Sequence, residues 1–292
     1  MSENPEDGLP RLRDVIAKYG LSARKGLGQN FVLDLNLTRR IARAAGPFDG
    51  GAVYEVGSGP GGLTRGLFLE GAGHVLAVER DTRFAPILAE IGEAVSGRLD
   101  IVDADALKLD EAALLAAHGI ALPVPVVANL PFNVGTALLV KWLKMAQWPP
   151  WWASLTLMFQ KEVAQRVCAK PGENDYGRLS VLAGWRCHAK ILFDVNRSAF
   201  VPQPKVTASV LHIEPLRSPR FAARLNDLET VSAAAFGQRR KMLRRSLRQL
   251  TPDADALLKT AGIEGTARAQ ELDIEQFCTL ARAYGNHRSE NE

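Results

Sequence analysis

Val53-Tyr54-Glu55-Val56-Gly57-Ser58-Gly59-Pro60-Gly61-Gly62-Leu63-Thr64 is an apolar strand that runs into glycines and then into a helical stretch, Leu63 to Leu69. Glycine permits positive φ and carries no Cβ, so a ligand can lie directly against the backbone. The next segment, Ala72 to Val78, reads as a second strand, and it ends in Glu79. Gly57, Gly59 and Gly62 satisfy the dinucleotide fingerprint G-x-G-x-x-G, with an acid about 20 residues beyond. An acid at the tip of the second strand is placed to accept hydrogen bonds from ribose hydroxyls. This span alone does not separate a nicotinamide cofactor from S-adenosylmethionine, nor either from a glycine turn without a ligand.

Two further strand ends narrow the choice. Leu99 to Val102 reads as a third strand, followed by Asp103-Ala104-Asp105-Ala106. Asp105 is placed either to accept from the adenine amino group of a bound cofactor or to act as a helix N-cap. Val124 to Ala128 reads as a buried parallel strand ending in Asn129-Leu130-Pro131-Phe132. This tetrapeptide holds a carboxamide, a carbonyl that precedes proline, and an aromatic ring close together. The Asn129 oxygen and the Leu130 carbonyl can each accept one N–H of an exocyclic amine such as that of adenine, while Phe132 stacks on the ring. Gly57, Glu79, Asp105 and Asn129, in that order at four strand ends, obey the rule that open parallel sheets bind ligands beyond the strands' carboxyl ends.

Strand and helix alternate through the core, the pattern of a doubly wound α/β sheet. Helices are expected over Leu12 to Tyr19, Leu35 to Ala45, Thr82 to Ala94, Glu111 to Ala117, Val134 to Met145 and Lys161 to Ala169, with a strand over Ser154 to Phe159. Ala189 to Val195 and Val206 to Ile213 would finish the sheet as a hairpin-like antiparallel pair at one edge. Trp148-Pro149-Pro150-Trp151-Trp152 reads as a turn whose tryptophans cover a core edge. Phe200-Val201-Pro202-Gln203-Pro204-Lys205-Val206 is a loop stiffened by two prolines, in which Phe200 is either a second ring over the Asn129 site or a buried anchor. Beyond Pro215 the pattern turns helical, which gives a domain at 1–215, with a helical arm and cofactor loop at 1–48, and a small helical domain with a polar tail at 216–292.

At 292 residues, 47% hydrophobic and 23% charged, the chain has ample core. No apolar run reaches the roughly 18 residues of a membrane span, and Met1 to Pro10 is acidic and polar, unlike a secretory leader. The three cysteines, Cys168, Cys187 and Cys278, stand far apart without metal spacing, so a reducing cytoplasm and no metal are expected. The net charge of +4 is mild, but the cations cluster. Arg239, Arg240, Lys241, Arg244, Arg245 and Arg248 fall on one helix-like stretch, with Met242 and Leu243 left for the core. Such a stretch would present guanidinium forks to phosphates, or be a solvated basic face. A second group, Arg11, Arg13, Lys18, Arg24 and Lys25, precedes Gly26-Leu27-Gly28-Gln29-Asn30-Phe31. Two basic regions flanking one predicted site favour a polyanionic substrate.

Taken together the motifs resemble the ribosomal RNA adenine N6,N6-dimethyltransferases, in their small-subunit (kasugamycin-resistance) branch. The resemblance rests on Gly28-Gln29-Asn30-Phe31, Glu55 to Gly61, Asn129 to Phe132, Gln160-Lys161-Glu162-Val163-Ala164, Tyr176-Gly177-Arg178-Leu179-Ser180, Phe200 to Val206 and Phe236 to Lys241. It implies a Rossmann-like, class I methyltransferase sheet with a small all-α C-terminal domain. It also implies S-adenosylmethionine contacts at Asn30, Val32, Gly57, Gly59, Glu79, Asp105 and Asn129. The implied catalytic set is Asn129, Leu130, Pro131, Phe132 and Phe200, with RNA contacts on the 239–248 cations. The implied activity is dimethylation of N6 on two adjacent adenosines in a loop near the 3′ end of 16S rRNA, during small-subunit biogenesis, by a cytoplasmic monomer. Phe132 stands where tyrosine is usual, Gln203 where proline is usual, and Val32 where leucine is usual. Two alternatives from the same motifs are a 23S rRNA adenine methyltransferase of the macrolide-resistance type and a non-catalytic RNA-binding assembly or transcription factor. A nicotinamide oxidoreductase would leave Asn129 to Phe132 and the basic cluster without a use.

Overall fold

Apolar strands alternating with amphipathic helices give this chain a sheet with helices on both faces. The computed structural model describes residues 7–24, 26 and 28–291; residues 1–6, Lys25, Leu27 and Glu292 lie outside the described residues. In chain order the first elements are α1 (Leu12–Lys18), β1 (Phe31–Val32), α2 (Leu35–Ala45), β2 (Ala52–Val56), α3 (Gly62–Leu69), β3 (His74–Glu79), α4 (Ala85–Ala94), β4 (Leu99–Asp103), α5 (Glu111–Ala117), β5 (Val124–Ala128), α6 (Gly135–Leu143) and β6 (Trp152–Gln160). They are succeeded by α7 (Lys161–Cys168), α8 (Arg178–Arg186), β7 (Cys187–Val195), β8 (Phe200–Val201), β9 (Ala208–Pro215), α9 (Leu225–Gly237), α10 (Leu243–Ser246), α11 (Ala254–Thr260) and α12 (Ile274–Asn291).

Seven strands form one sheet in the order β4-β3-β2-β5-β6-β9-β7. β2, β3, β4, β5 and β6 run parallel, and β9 returns antiparallel to β6. Strands β2, β3 and β5 are buried along almost their whole length, as expected where helices cover both faces. From β2 the chain winds outward to β3 and β4, then returns to lay β5 on the other side of β2. That reversal is the topological switch point at which such sheets bind ligands. Registers Val56↔Val78 and Glu79↔Asp103 align the carboxyl ends of β2, β3 and β4. Glu55↔Val127 brings the end of β5 level with them. The glycine turn, Glu79, Asp105 and Asn129 therefore issue from one edge.

The two last strands do sit side by side at the edge, but β9 begins at Ala208, and Val206 stays exposed in the loop. Between them the chain leaves the sheet: β8 pairs antiparallel with β1, Val32 opposite Phe200. The Phe31 ring meets Phe84 edge-on at 5.6 Å. Phe84 is fully buried, which contributes about 1.5–3 kcal/mol. Trp151 and Trp152 are buried, and Trp151 is edge-on to both Tyr54 and Trp142, so these tryptophans cover the core as expected.

By its contacts the chain forms two compact units. One contains Met1–Trp142, Pro150–Lys161 and Lys190–Glu214; the other contains Leu143–Pro149, Glu162–Ala189 and Pro215–Glu292. The second unit thus adds two earlier segments to the expected helical region at 216–292. Its centre stacks Phe236 on Phe277 at 5.4 Å, with Tyr176 edge-on to Phe236. This packing gives the Tyr176 and Phe236 blocks a role in the core of that unit.

The basic run is not one helix. α9 ends at Gly237, residues 238–241 turn, α10 holds only Leu243–Ser246, and a 3-10 turn covers Leu247–Gln249. Met242 is extended and bridges to Arg268, which interrupts the helical ladder. Leu243 is fully buried as expected, whereas Met242 is exposed. No helix among the described residues is long and apolar enough to cross a membrane.

Candidate active site

The glycine turn is built by conformations open to glycine: Gly57, Gly59 and Gly61 have φ of 76°, 52° and 83°. A Cβ on Gly57 would lie 3.8 Å from Pro131 Cδ and 3.9 Å from the Asn129 carbonyl oxygen. The turn and the tetrapeptide after β5 are thus neighbours across the switch point. They share a cavity of about 230 Å³ that also receives Asn30, Val32, Glu79, Asp105, Leu130, Phe132 and Phe200. Every residue assigned above to cofactor or catalysis lines this one space.

Glu79 is buried at the end of β3. Its carboxylate accepts the Gly59 N–H and the Asp81 N–H, each at 2.8 Å. It therefore braces the glycine turn while facing the cavity. Burial pushes its carboxyl above the ordinary range, opposed by those two N–H groups. Asp105 Oδ1 accepts the Leu107 N–H at 3.1 Å, so the N-cap reading is realised. Its Oδ2 lies 3.7 Å from the Arg80 guanidinium, which leaves this oxygen lone pairs for a ligand.

The Pro131 carbonyl accepts the Val134 and Gly135 N–H groups and starts α6. Among the described residues no protein group is hydrogen-bonded to the Asn129 carboxamide or to the Leu130 carbonyl, and Asn129 is half-buried. Phe200 is only 2% exposed and meets Phe132 at 6.5 Å with 61° between ring planes. That edge contact makes Phe200 an anchor of the cavity wall; a base held between two parallel rings would require a different pose.

Sequence reasoning passed over several wall residues. Gln29 Nε2 donates to Asp81 at 2.9 Å, and Gln29 Oε1 accepts the Arg24 N–H at 2.9 Å. Asp81 also takes two bonds from the Arg83 guanidinium, which chiefly hold its carboxyl down at about 2. These bonds tie the loop before β1 to the end of β3. Gln29 adjoins Asn30 in the Gly28 to Phe31 block, but a polar pair so distant in sequence leaves no spacing signal. The apolar Ile41, Leu138 and Met158 also line the cavity.

Glu55 is a buried acid of the glycine motif that takes no direct part in the wall. Its Oε2 accepts the Thr64 hydroxyl at 2.6 Å, while Oε1 has no partner. Burial pushes this carboxyl from about 4.5 up to about 8, with Glu79 adding to the rise and Thr64 opposing it. A folded-state value above the unfolded one means the folded chain holds the proton longer. Stability is therefore greatest below about pH 4.5 as far as this group is concerned, and falls as pH rises toward 8. Glu55→Gln is expected to remove that slope, at most about 1.4 kcal/mol per pH unit. Urea midpoints compared between pH 5 and pH 8 check it; an unchanged slope contradicts the buried-acid reading.

Of the basic cluster, Arg240, Lys241, Arg244, Arg245 and Arg248 are exposed and have no ion-pair partner among the described residues. Arg239 differs, because it bonds to Gln270 and to the Glu173 carbonyl inside its own unit. In the N-terminal group, Lys18 pairs with Glu90 at 2.7 Å, and Arg11, Arg13 and Arg24 are exposed.

The model of the ribosomal RNA adenine dimethylase family matches residues 20–285. A Paracoccus denitrificans protein named ribosomal RNA small subunit methyltransferase A is 58% identical, over 94% of this chain and 96% of its own length. Its namesake from Xanthobacter autotrophicus is 57% identical over 97% and 96%. Among solved structures, a dimethyladenosine transferase from Plasmodium falciparum superposes with a TM-score of 0.69 at 22% identity, covering 87% of this chain and 96% of that one. The 23S rRNA methyltransferase ErmE gives 0.63 at 25% identity, over 88% and 100%.

Proposed function

Since the chain belongs to the ribosomal RNA adenine dimethylase family, we propose that it acts on two adjacent adenosines in a loop near the 3′ end of 16S rRNA, within the small subunit or its precursor. It is a methyltransferase that uses S-adenosylmethionine to dimethylate adenine N6 in ribosomal RNA. The observation that carries the reading is the shared cavity, in which Asn129 to Phe132 and the glycine turn stand side by side. The residues present fit the cofactor: open glycine backbone, a buried acid at Glu79 and an oxygen of Asp105 with spare lone pairs. When bound, S-adenosylmethionine supplies a methyl group made electrophilic by its sulfonium.

The adenine N6 lone pair is delocalised into the ring, which makes it a poor nucleophile. Acceptance of its two N–H groups by the Asn129 carboxamide oxygen and the Leu130 carbonyl favours a pyramidal nitrogen and aims the lone pair at the methyl carbon. This is catalysis by orientation. Phe132 supplies the stacking face. Neither acceptor retains a proton near neutral pH, so the proton released from nitrogen passes to water. The base leaves its stack to enter, which suits a loop adenosine. On the second unit the unpaired cations Arg240, Lys241, Arg244, Arg245 and Arg248 suit phosphate contacts.

The small-subunit assignment is favoured over 23S RNA because the relatives above 50% identity carry the small-subunit name, against 25% for ErmE. The test uses 30S particles lacking the modification alongside undermethylated 23S RNA, with products read by nucleoside mass spectrometry. N6,N6-dimethyladenosine in the 30S RNA alone is expected. Product only in 23S RNA, or in neither, contradicts the proposal.

A further inference from the structure

The Lys141 ammonium, on α6, donates to three acceptors: the Ala106 carbonyl at 2.8 Å, the Leu109 carbonyl at 2.6 Å and Glu111 Oε1 at 2.7 Å. Glu111 is buried, and the same oxygen accepts the Trp142 indole N–H at 2.8 Å. All three acceptors lie on the stretch just after Asp105. This stretch opens with a 3-10 turn, Ala106–Lys108, capped at its start by the Asp105 carboxylate itself. Asp105, Ala106 and Leu107 line the cavity. So short a turn makes too few internal bonds to hold its own position. Here the N-cap fixes one end, and a cation from a neighbouring helix collects the carbonyls of Ala106, the turn's first residue, and of Leu109, just past its last.

We infer that Lys141 is a positioning residue for the adenine end of the methyl donor, setting where Asp105 presents its remaining oxygen. The inference rests on Asp105 being the adenine acceptor. Lys141 touches no part of the cavity wall assigned to methyl transfer, so its loss acts on binding and leaves the chemical step intact. A brace that was merely structural would lower the unfolding temperature without discriminating among ligands or coupling to Asp105.

The experiment compares Lys141→Met, Asp105→Ala and the double variant in the full-length protein. Calorimetric titrations use two probes, S-adenosylhomocysteine and 5′-methylthioadenosine, which share the adenosine and differ in the amino-acid arm. Lys141→Met is expected to weaken both probes by the same factor, about 10-fold, the scale of one charge-assisted hydrogen bond. The turnover number at saturating donor should stay within about threefold of wild type, and the double variant should bind within about twofold of Asp105→Ala, as expected of residues acting in series. Unchanged affinity in Lys141→Met, or full additivity with Asp105→Ala, overturns the inference. Unchanged affinity in Asp105→Ala overturns the Asp105 reading first and the inference with it, so the two failures are distinguishable. Lys141→Met leaves Glu111 buried without its cation, a destabilising arrangement; Lys141→Met/Glu111→Gln removes that charge and carries the same expected and contrary outcomes.

Discussion

Asn129→Ala is expected to lower single-turnover methyl transfer by about 10²–10³-fold, the range found when one preorganised hydrogen-bonding group is removed from an active site. Affinity for S-adenosylhomocysteine should change by no more than about threefold, because most of the donor-binding wall is contributed elsewhere. The asymmetry arises from where the residue sits. Its carboxamide has no protein partner among the described residues, so it is held ready at the end of β5 with its oxygen unspent. Its neighbour Pro131 commits its carbonyl to the start of α6, which fixes the tetrapeptide and keeps the Leu130 carbonyl out of the helix. Asn129→Asp provides a second comparison: a carboxylate still accepts its one N–H, with Leu130 accepting the other, but adds charge beside the sulfonium. Equal losses in affinity and transfer rate for Asn129→Ala would remove the residue from the orientation role.

Glu79→Ala is expected to act in the opposite way, on binding more than on chemistry. The side chain braces the turn by satisfying the Gly59 and Asp81 N–H groups, and in the proposed site it also accepts from the ribose diol. Truncation strands both donors, at a cost of about 1–3 kcal/mol for each one left buried. It also releases the glycine turn from the end of β3. Those stranded donors lower the unfolding midpoint, and affinity for S-adenosylhomocysteine should fall by about 10–100-fold, the scale of a lost hydrogen bond to a charged acceptor, while transfer at saturating donor falls far less. Glu79→Gln keeps one carbonyl acceptor and should lie between the two. Calorimetry with S-adenosylhomocysteine settles it: affinity within about threefold of wild type in Glu79→Ala would show that the ribose is held by other groups.

Much of this site is readable in the sequence because its chemistry is concentrated at strand ends. A buried parallel strand is a short apolar run, and the residues directly after it must emerge at the ligand-binding edge. Gly57, Glu79, Asp105 and Asn129 all stand at such ends, and the cavity collects all four. The parts that escape are those that depend on long-range pairing. The β1–β8 ladder is two residues on each side and leaves no periodic signal, yet it seats Phe200 and Val32 in the cavity wall. Lys141 resembles an ordinary cation on the polar side of α6, because the carbonyls it collects belong to a loop far away in sequence. The basic run misleads for a different reason. Helical spacing is present from Arg240 to Arg248, but the backbone at Met242 is committed to a bridge with Arg268, and that tertiary pairing outweighs weak local propensity. Phe236 and Tyr176 stand in family blocks to which their sequence assigns no chemistry. Their ring packing against each other, and of Phe236 against Phe277, explains their presence as core.

Methyl transfer by this site requires the carboxamide of Asn129 and the donor sulfur to occupy one cleft. A crystal structure of the protein with sinefungin, whose amine replaces the sulfonium methyl, measures this directly. The amine is expected within about 3–3.5 Å of the Asn129 carboxamide oxygen, the separation of a near-attack arrangement, with the ribose on Glu79 and the adenine edge on Asp105. An analogue lying along the glycine turn with its amine directed away from Asn129, or bound outside this cavity, would contradict the assignment of the methyl-transfer site.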